Sequence, residues 1–77
     1  MTERAQSAAD VAAAFGARRT ATGWDFAGTG EGFRIDEAPD GVWVVGYVER
    51  NNYRPRQTFT SERAAARFVF AQLTDER

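Results

Sequence analysis

The run Val42-Trp43-Val44-Val45-Gly46-Tyr47-Val48-Glu49, with the Arg50-Asn51-Asn52 and Tyr53-Arg54-Pro55-Arg56-Gln57-Thr58-Phe59 that follow it, decides the fold. Its first part is apolar on both faces: Val42, Val44 and Val48 alternate with Trp43, Val45 and Tyr47. β-Branched and aromatic residues in this arrangement predict a strand, and a strand apolar on both sides is normally central or covered on both sides. Asn51-Asn52 supplies residues that tolerate positive φ at a hairpin. Tyr53 to Phe59 then returns as a second strand. Pro55, which cannot donate to a ladder, places that strand at the sheet edge.

Towards the N-terminus, Ala38-Pro39-Asp40-Gly41 predicts a turn, because Pro presets φ and Asp and Gly accept the turn geometry. Phe33 and Ile35, and before them Trp24 and Phe26, alternate with polar neighbours and read as two half-buried strands. Gly28-Thr29-Gly30 is the hairpin loop between them. Ahead of the strands, Ser7 and Asp10 have the spacing of a helix N-cap, Ala8, Val11, Ala12 and Phe15 share one helical face, and Gly16 ends the helix. Residues 1–6 are polar and expected to be disordered.

Towards the C-terminus, Ser61 to Leu73 predicts a helix, with Thr60 as N-cap, Glu62 in the positive first turn and Phe59 packed on Ala64. Its apolar positions are Ala65, Phe68, Val69, Phe70 and Leu73. Phe68 and Phe70 point roughly 160° apart at about 100° per residue, so one flat sheet cannot cover both. One of them meets the N-terminal helix or another molecule.

The expected architecture is a single α+β domain spanning residues 1–77: an N-terminal helix, a three- to four-stranded antiparallel sheet, and a C-terminal helix packed on the sheet. The expected core is Phe15, Trp24, Phe26, Phe33, Ile35, Val44, Val48, Phe59, Ala65, Val69 and Leu73.

Composition narrows the chemistry. The 77 residues contain no cysteine and no histidine, which removes disulfides, thiolate metal sites and the side chain best suited to proton transfer near neutral pH. Ser7 and Ser61 sit where helix caps belong, with no histidine to activate either. Asp36, Glu37 and Asp40 read as a solvated turn, since no second ligand cluster accompanies them. Gly28-Thr29-Gly30-Glu31-Gly32 lacks the Lys-Ser/Thr ending of a phosphate loop and leads into a strand. No enzyme activity, metal or cofactor is expected.

Ten aromatic residues supply a core, and the net charge of −1 attracts no polyanion to the molecule as a whole. Every basic residue is arginine. That reflects either the coding composition of the genome or the preference of interfaces for a planar, multidentate cation. No apolar run approaches the ~20 residues of a membrane span, and the first residues lack the layout of a signal peptide, so a cytoplasmic protein is expected. The hairpin end gathers tyrosine and arginine, the types that most often anchor interfaces. Tyr47, Glu49, Arg50, Asn52, Tyr53, Arg54 and Arg56 are the candidate partner-binding residues; the competing reading is a solvated loop.

The stretch from Gly41 to Arg50, with Thr58-Phe59-Thr60-Ser61-Glu62-Arg63-Ala64-Ala65-Ala66-Arg67-Phe68, resembles small bacterial immunity proteins of polymorphic toxin systems. In these a tryptophan strand leads to a Tyr-x-Glu-Arg end, a short turn, a Phe-Thr/Asp-Ser/Thr-Glu cap and an Ala-rich aromatic helix. Trp43, Tyr47, Glu49, Arg50, Phe59, Ser61, Glu62, Ala65 and Phe68 carry the likeness, which covers the C-terminal half only. It implies a protein that binds and blocks a cognate toxin.

A weaker likeness is to three-stranded-sheet DNA-binding domains of the ethylene-response-factor and integrase arm-binding type, carried by Thr58-Phe59-Thr60-Ser61-Glu62-Arg63-Ala64-Ala65. It implies that Arg50, Arg54 and Arg56, with Arg34 on the same face, meet duplex DNA. Asp25, Glu31, Asp36, Glu37, Asp40 and Glu49 lie in the same region and would repel phosphates. A third reading is a phage or bacterial accessory protein that forms a homodimer through Phe68 or Phe70.

Overall fold

In the computed structural model, which describes residues 7–28 and 30–74, Ser7 caps helix α1 (Ala8–Phe15) through a reciprocal pair of bonds. The Asp10 amide donates to Ser7 Oγ at 3.1 Å, and the Ser7 amide donates to Asp10 Oδ2 at 3.4 Å. Gly16, at φ 72°, ends the helix in the left-handed conformation that glycine adopts without penalty. The disorder expected for residues 1–6 lies outside the described residues.

Five strands follow: β1 (Arg18–Arg19), β2 (Gly23–Asp25), β3 (Gly32–Glu37), β4 (Trp43–Glu49) and β5 (Asn52–Phe59), and then helix α2 (Glu62–Thr74). The strands form one sheet in chain order, every neighbouring pair antiparallel. The expected α+β class and the helix–sheet–helix order are what the chain adopts, with one more strand than the sequence suggested. Two arginines carry no alternation to betray β1. It forms because a tight turn returns the chain onto β2: the Thr20 amide donates to the Gly23 carbonyl and the Gly23 amide to Thr20 Oγ1, both at 2.9 Å. Arg19 then lies opposite Trp24, with its guanidinium 4.9 Å from the indole centroid.

Register decides which side of the sheet is the core. Trp24 and Val45 both lie opposite Ile35, and Phe33 lies opposite Tyr47. Ile35 and Val45 are fully buried in one cluster with Val11 of α1 and Ala65, Ala66 and Val69 of α2. Helix α2 therefore covers the face of Trp43, Val45 and Tyr47, with α1 packed beside it on α2. Val44 and Val48, expected in the core, lie half-buried on the opposite face, which neither described helix covers. That face of β4 has Gly46 at its centre and cannot fill the space beneath a helix. The alanine surface of α2 approaches closely and needs large sheet residues under it.

Other details differ from expectation. Ser61, not Thr60, caps α2, its Oγ accepting from the Ala64 amide at 3.1 Å. Phe15 is 39% exposed, whereas Val11 and the alanines Ala8 and Ala12 are buried in its place. Trp24, Phe26, Phe59 and Leu73 pack against the core only partly buried. Trp24 binds α2 by its indole N–H, which donates to Glu62 Oε2 at 3.0 Å across 38 positions of sequence. Pro55 does lie on an edge strand, since β5 ends the sheet order.

Candidate functional site

Strands β4 and β5 join through a two-residue turn whose central residues, Arg50 and Asn51, have φ of 53° and 67°. Two consecutive positive φ values mark the turn type whose twist matches that of a hairpin. The turn sits one residue earlier than Asn51-Asn52 suggested, because Asn52 already pairs with Glu49. Asparagine tolerates this conformation; arginine is strained in it by about 1–2 kcal/mol. The tip thus projects Arg50 into solvent at some energetic cost.

Six of the seven candidate residues, Glu49, Arg50, Asn52, Tyr53, Arg54 and Arg56, are exposed, and Tyr47 is half-buried. They do not share one face. Tyr47 lies opposite Arg54 on the side of the helices, while Val48 lies opposite Tyr53 on the open side. The ladder pairs Val45 with Gln57 and Gly46 with Pro55, so Arg56 is the extra residue of a bulge. Its guanidinium stands 5.8 Å from the centroid of Tyr47, whose ring meets Phe33 edge to face at 5.0 Å. Tyr47, Arg54 and Arg56 form one group, and Arg50 lies beyond them at the tip, next to the Glu49–Asn52 pair.

Tyr53 belongs to a second group that sequence reasoning did not assemble. Its ring lies over Gly46, where a Cβ would collide with the ring atoms. Only glycine leaves room for it. Beside the ring, the Arg34 carbon Cζ stands 5.9 Å from its centroid, and Arg34 Nη2 reaches Asp36 Oδ1 at 3.5 Å. Thr22 Oγ1 donates to the same Asp36 oxygen at 2.6 Å. Burial, and then the Asp36 carboxylate, push the Tyr53 hydroxyl above its ordinary pKa, with Arg34 opposing them. A glycine in mid-strand with an aromatic on the neighbouring strand was the available signal for this arrangement.

The acidic loop does not converge. Asp36 is taken up by Thr22 and Arg34, while Asp40 Oδ1 accepts from the Val42 amide at 3.1 Å within its own turn. Among the described residues no group of three or more acidic side chains is placed to hold a metal ion.

The arginines required for DNA reading are divided. Arg34 lies opposite Gly46 on the open face, whereas Arg54 lies opposite Tyr47 on the other. Phe68 packs on Phe59 with ring centroids 5.4 Å apart, and Phe70 meets Phe15 of α1 at 6.1 Å, so each ring has a partner within the chain. No helix among the described residues is long and apolar enough to cross a membrane. The chain matches no protein-family model, no curated protein and no solved structure.

Proposed function

We propose that the chain is a non-enzymatic protein-binding module that presents the β4–β5 hairpin to a protein partner, in the manner of an immunity protein occluding a toxin in the cytoplasm. The observation that carries this reading is the tip. Arg50 is held in a conformation that costs stability, at the end of an exposed strand bearing Arg54 and Arg56, and strain of this kind collects at functional sites. Because Tyr53 and Arg54 look to opposite faces, the partner grips the hairpin around its end and free edge. The edge resists pairing with a second copy: Pro55 and the bulge at Arg56 interrupt it, and antiparallel self-pairing about Pro55 would set arginines against arginines.

The test uses the full chain immobilised as bait against lysate of its own host, and against the purified product of any adjacent reading frame. Arg50→Gly combined with Arg54→Ala and Arg56→Ala should weaken the captured partner by more than about 2 kcal/mol while the protein stays folded. Equal retention by wild type and variant would remove the hairpin from the interface.

One observation favours the DNA reading: both helices leave the other sheet face uncovered. That face holds Asp25 and Asp36 beside Arg34, and Arg34 is already engaged by Asp36 and the ring of Tyr53. Binding to duplex DNA that falls steeply with added salt would favour this reading over the first.

A further inference from the structure

The C-terminal ends of α1 and α2 and the start of β3 enclose a cleft of about 370 Å3. Phe15, Phe26, Phe33, Tyr47 and Leu73 supply apolar walls, and among the described residues Glu31 is the sole charged group lining it. This volume lies at the lower end of the roughly 300–1,000 Å3 of small-molecule pockets, a size suited to a single long side chain. Phe15, at 39% exposure, is one of the most solvent-accessible large apolar residues described, and it forms a wall of this cleft.

Four aromatic rings and one carboxylate define what the cleft can hold. An anion would meet Glu31. A wholly apolar guest would make no use of that carboxylate, which stays solvated at its exposed position. A cation on an apolar stem satisfies both parts, with the stem against the rings and the charge over a π face and near the carboxylate. A planar guanidinium suits such walls better than an ammonium, because it stacks as well as pairs. Arg56 already stands 5.8 Å from the centroid of Tyr47, which leaves the rings of Phe15, Phe26 and Phe33, with Glu31, to meet a guest's charge.

We infer that this cleft is a receptor for an arginine side chain of a protein partner. The inference goes beyond the hairpin assignment and does not require it, sharing with it only Tyr47.

Three capped tripeptides of the form Gly-X-Gly, with X arginine, its neutral isostere citrulline, or norleucine, are titrated into the isotopically labelled full chain by NMR. The arginyl peptide should bind in the millimolar range, shift the Gly32 amide and the Gln72 side chain, and bind about fivefold more tightly than the citrulline peptide. Glu31→Gln, at an exposed loop position, should bring that ratio close to one with the spectrum otherwise preserved. Equal affinity for arginine and citrulline would overturn the inference, as would tighter binding of norleucine. Shifts that fall outside the cleft, or no shift with any peptide, would overturn it too. None of these outcomes depends on whether the hairpin binds a partner.

Discussion

Replacing Gly46 by alanine should change sign with the residue at position 53. Two effects compete at this site. Alanine loses less backbone freedom on folding than glycine, a gain of about 0.5–1 kcal/mol in the middle of a strand. Against it, the new Cβ would collide with the Tyr53 ring, so the ring must leave its seat. An aromatic side chain buries roughly 150 Å2 or more, and a third of that pressed on Gly46, at about 25 cal/mol/Å2, is worth about 1.3 kcal/mol. Displacing the ring also unseats its contact with Arg34, about 0.5 kcal/mol for an exposed cation–π pair. Gly46→Ala should therefore destabilise the wild type by about 1 kcal/mol, because the loss exceeds the gain. In a Tyr53→Ala background the obstacle is gone and the same substitution should stabilise by about 0.5–1 kcal/mol. The coupling in the double-mutant cycle is then close to 2 kcal/mol, well above the scatter of independent sites. Urea denaturation of the four proteins measures it. The same sign in both backgrounds would show that Tyr53 does not rest on Gly46.

Gly23→Ala makes the contrast, since its Cβ would meet the Ile35 carbonyl, backbone that cannot swing aside. Parting β2 from β3 forfeits several ladder bonds at about 1 kcal/mol each, so a loss of about 3 kcal/mol or more is expected in urea denaturation; an unchanged midpoint would refute the close approach. Arg50→Gly relieves the strained tip, and after the entropy of glycine a net gain of about 0.5–1 kcal/mol should raise the melting temperature by a few degrees while weakening the partner. A falling melting temperature would mean that Arg50 makes stabilising contacts. The raised pKa of Tyr53 ties stability to alkaline pH. The folded state keeps that phenolic proton after the unfolded chain has lost it, so the contribution is complete below pH ~10 and disappears as pH rises through the higher folded value. Tyr53→Phe should remove that slope from a plot of stability against pH above 10; identical slopes in the two proteins would contradict the assigned environment.

Much of the fold is legible because the signals are local. Capping by Ser7 and Asp10 and the stop at Gly16 act across a few residues, and the structure keeps them in place. Pro55 excludes its strand from the interior by lacking an N–H, whatever surrounds it. The candidate site is legible only in part. Its residues all belong to one hairpin, but their division between two faces depends on a turn set one residue earlier and on a bulge at Arg56, and composition reveals neither.

From the sequence alone follow the α+β class, the helix–sheet–helix order, the edge position of β5 and the absence of imidazole and thiol side chains. These depend on which side chains exist and on their spacing along the chain. Tertiary structure alone decided that Val45, not Val44 and Val48, faces the helices, that Phe68 and Phe70 find Phe59 and Phe15, and that Tyr53 covers Gly46. A strand apolar on both sides fits either orientation. The choice falls to whichever face fills the space beneath an alanine-surfaced helix, a matter of volume between segments distant in sequence.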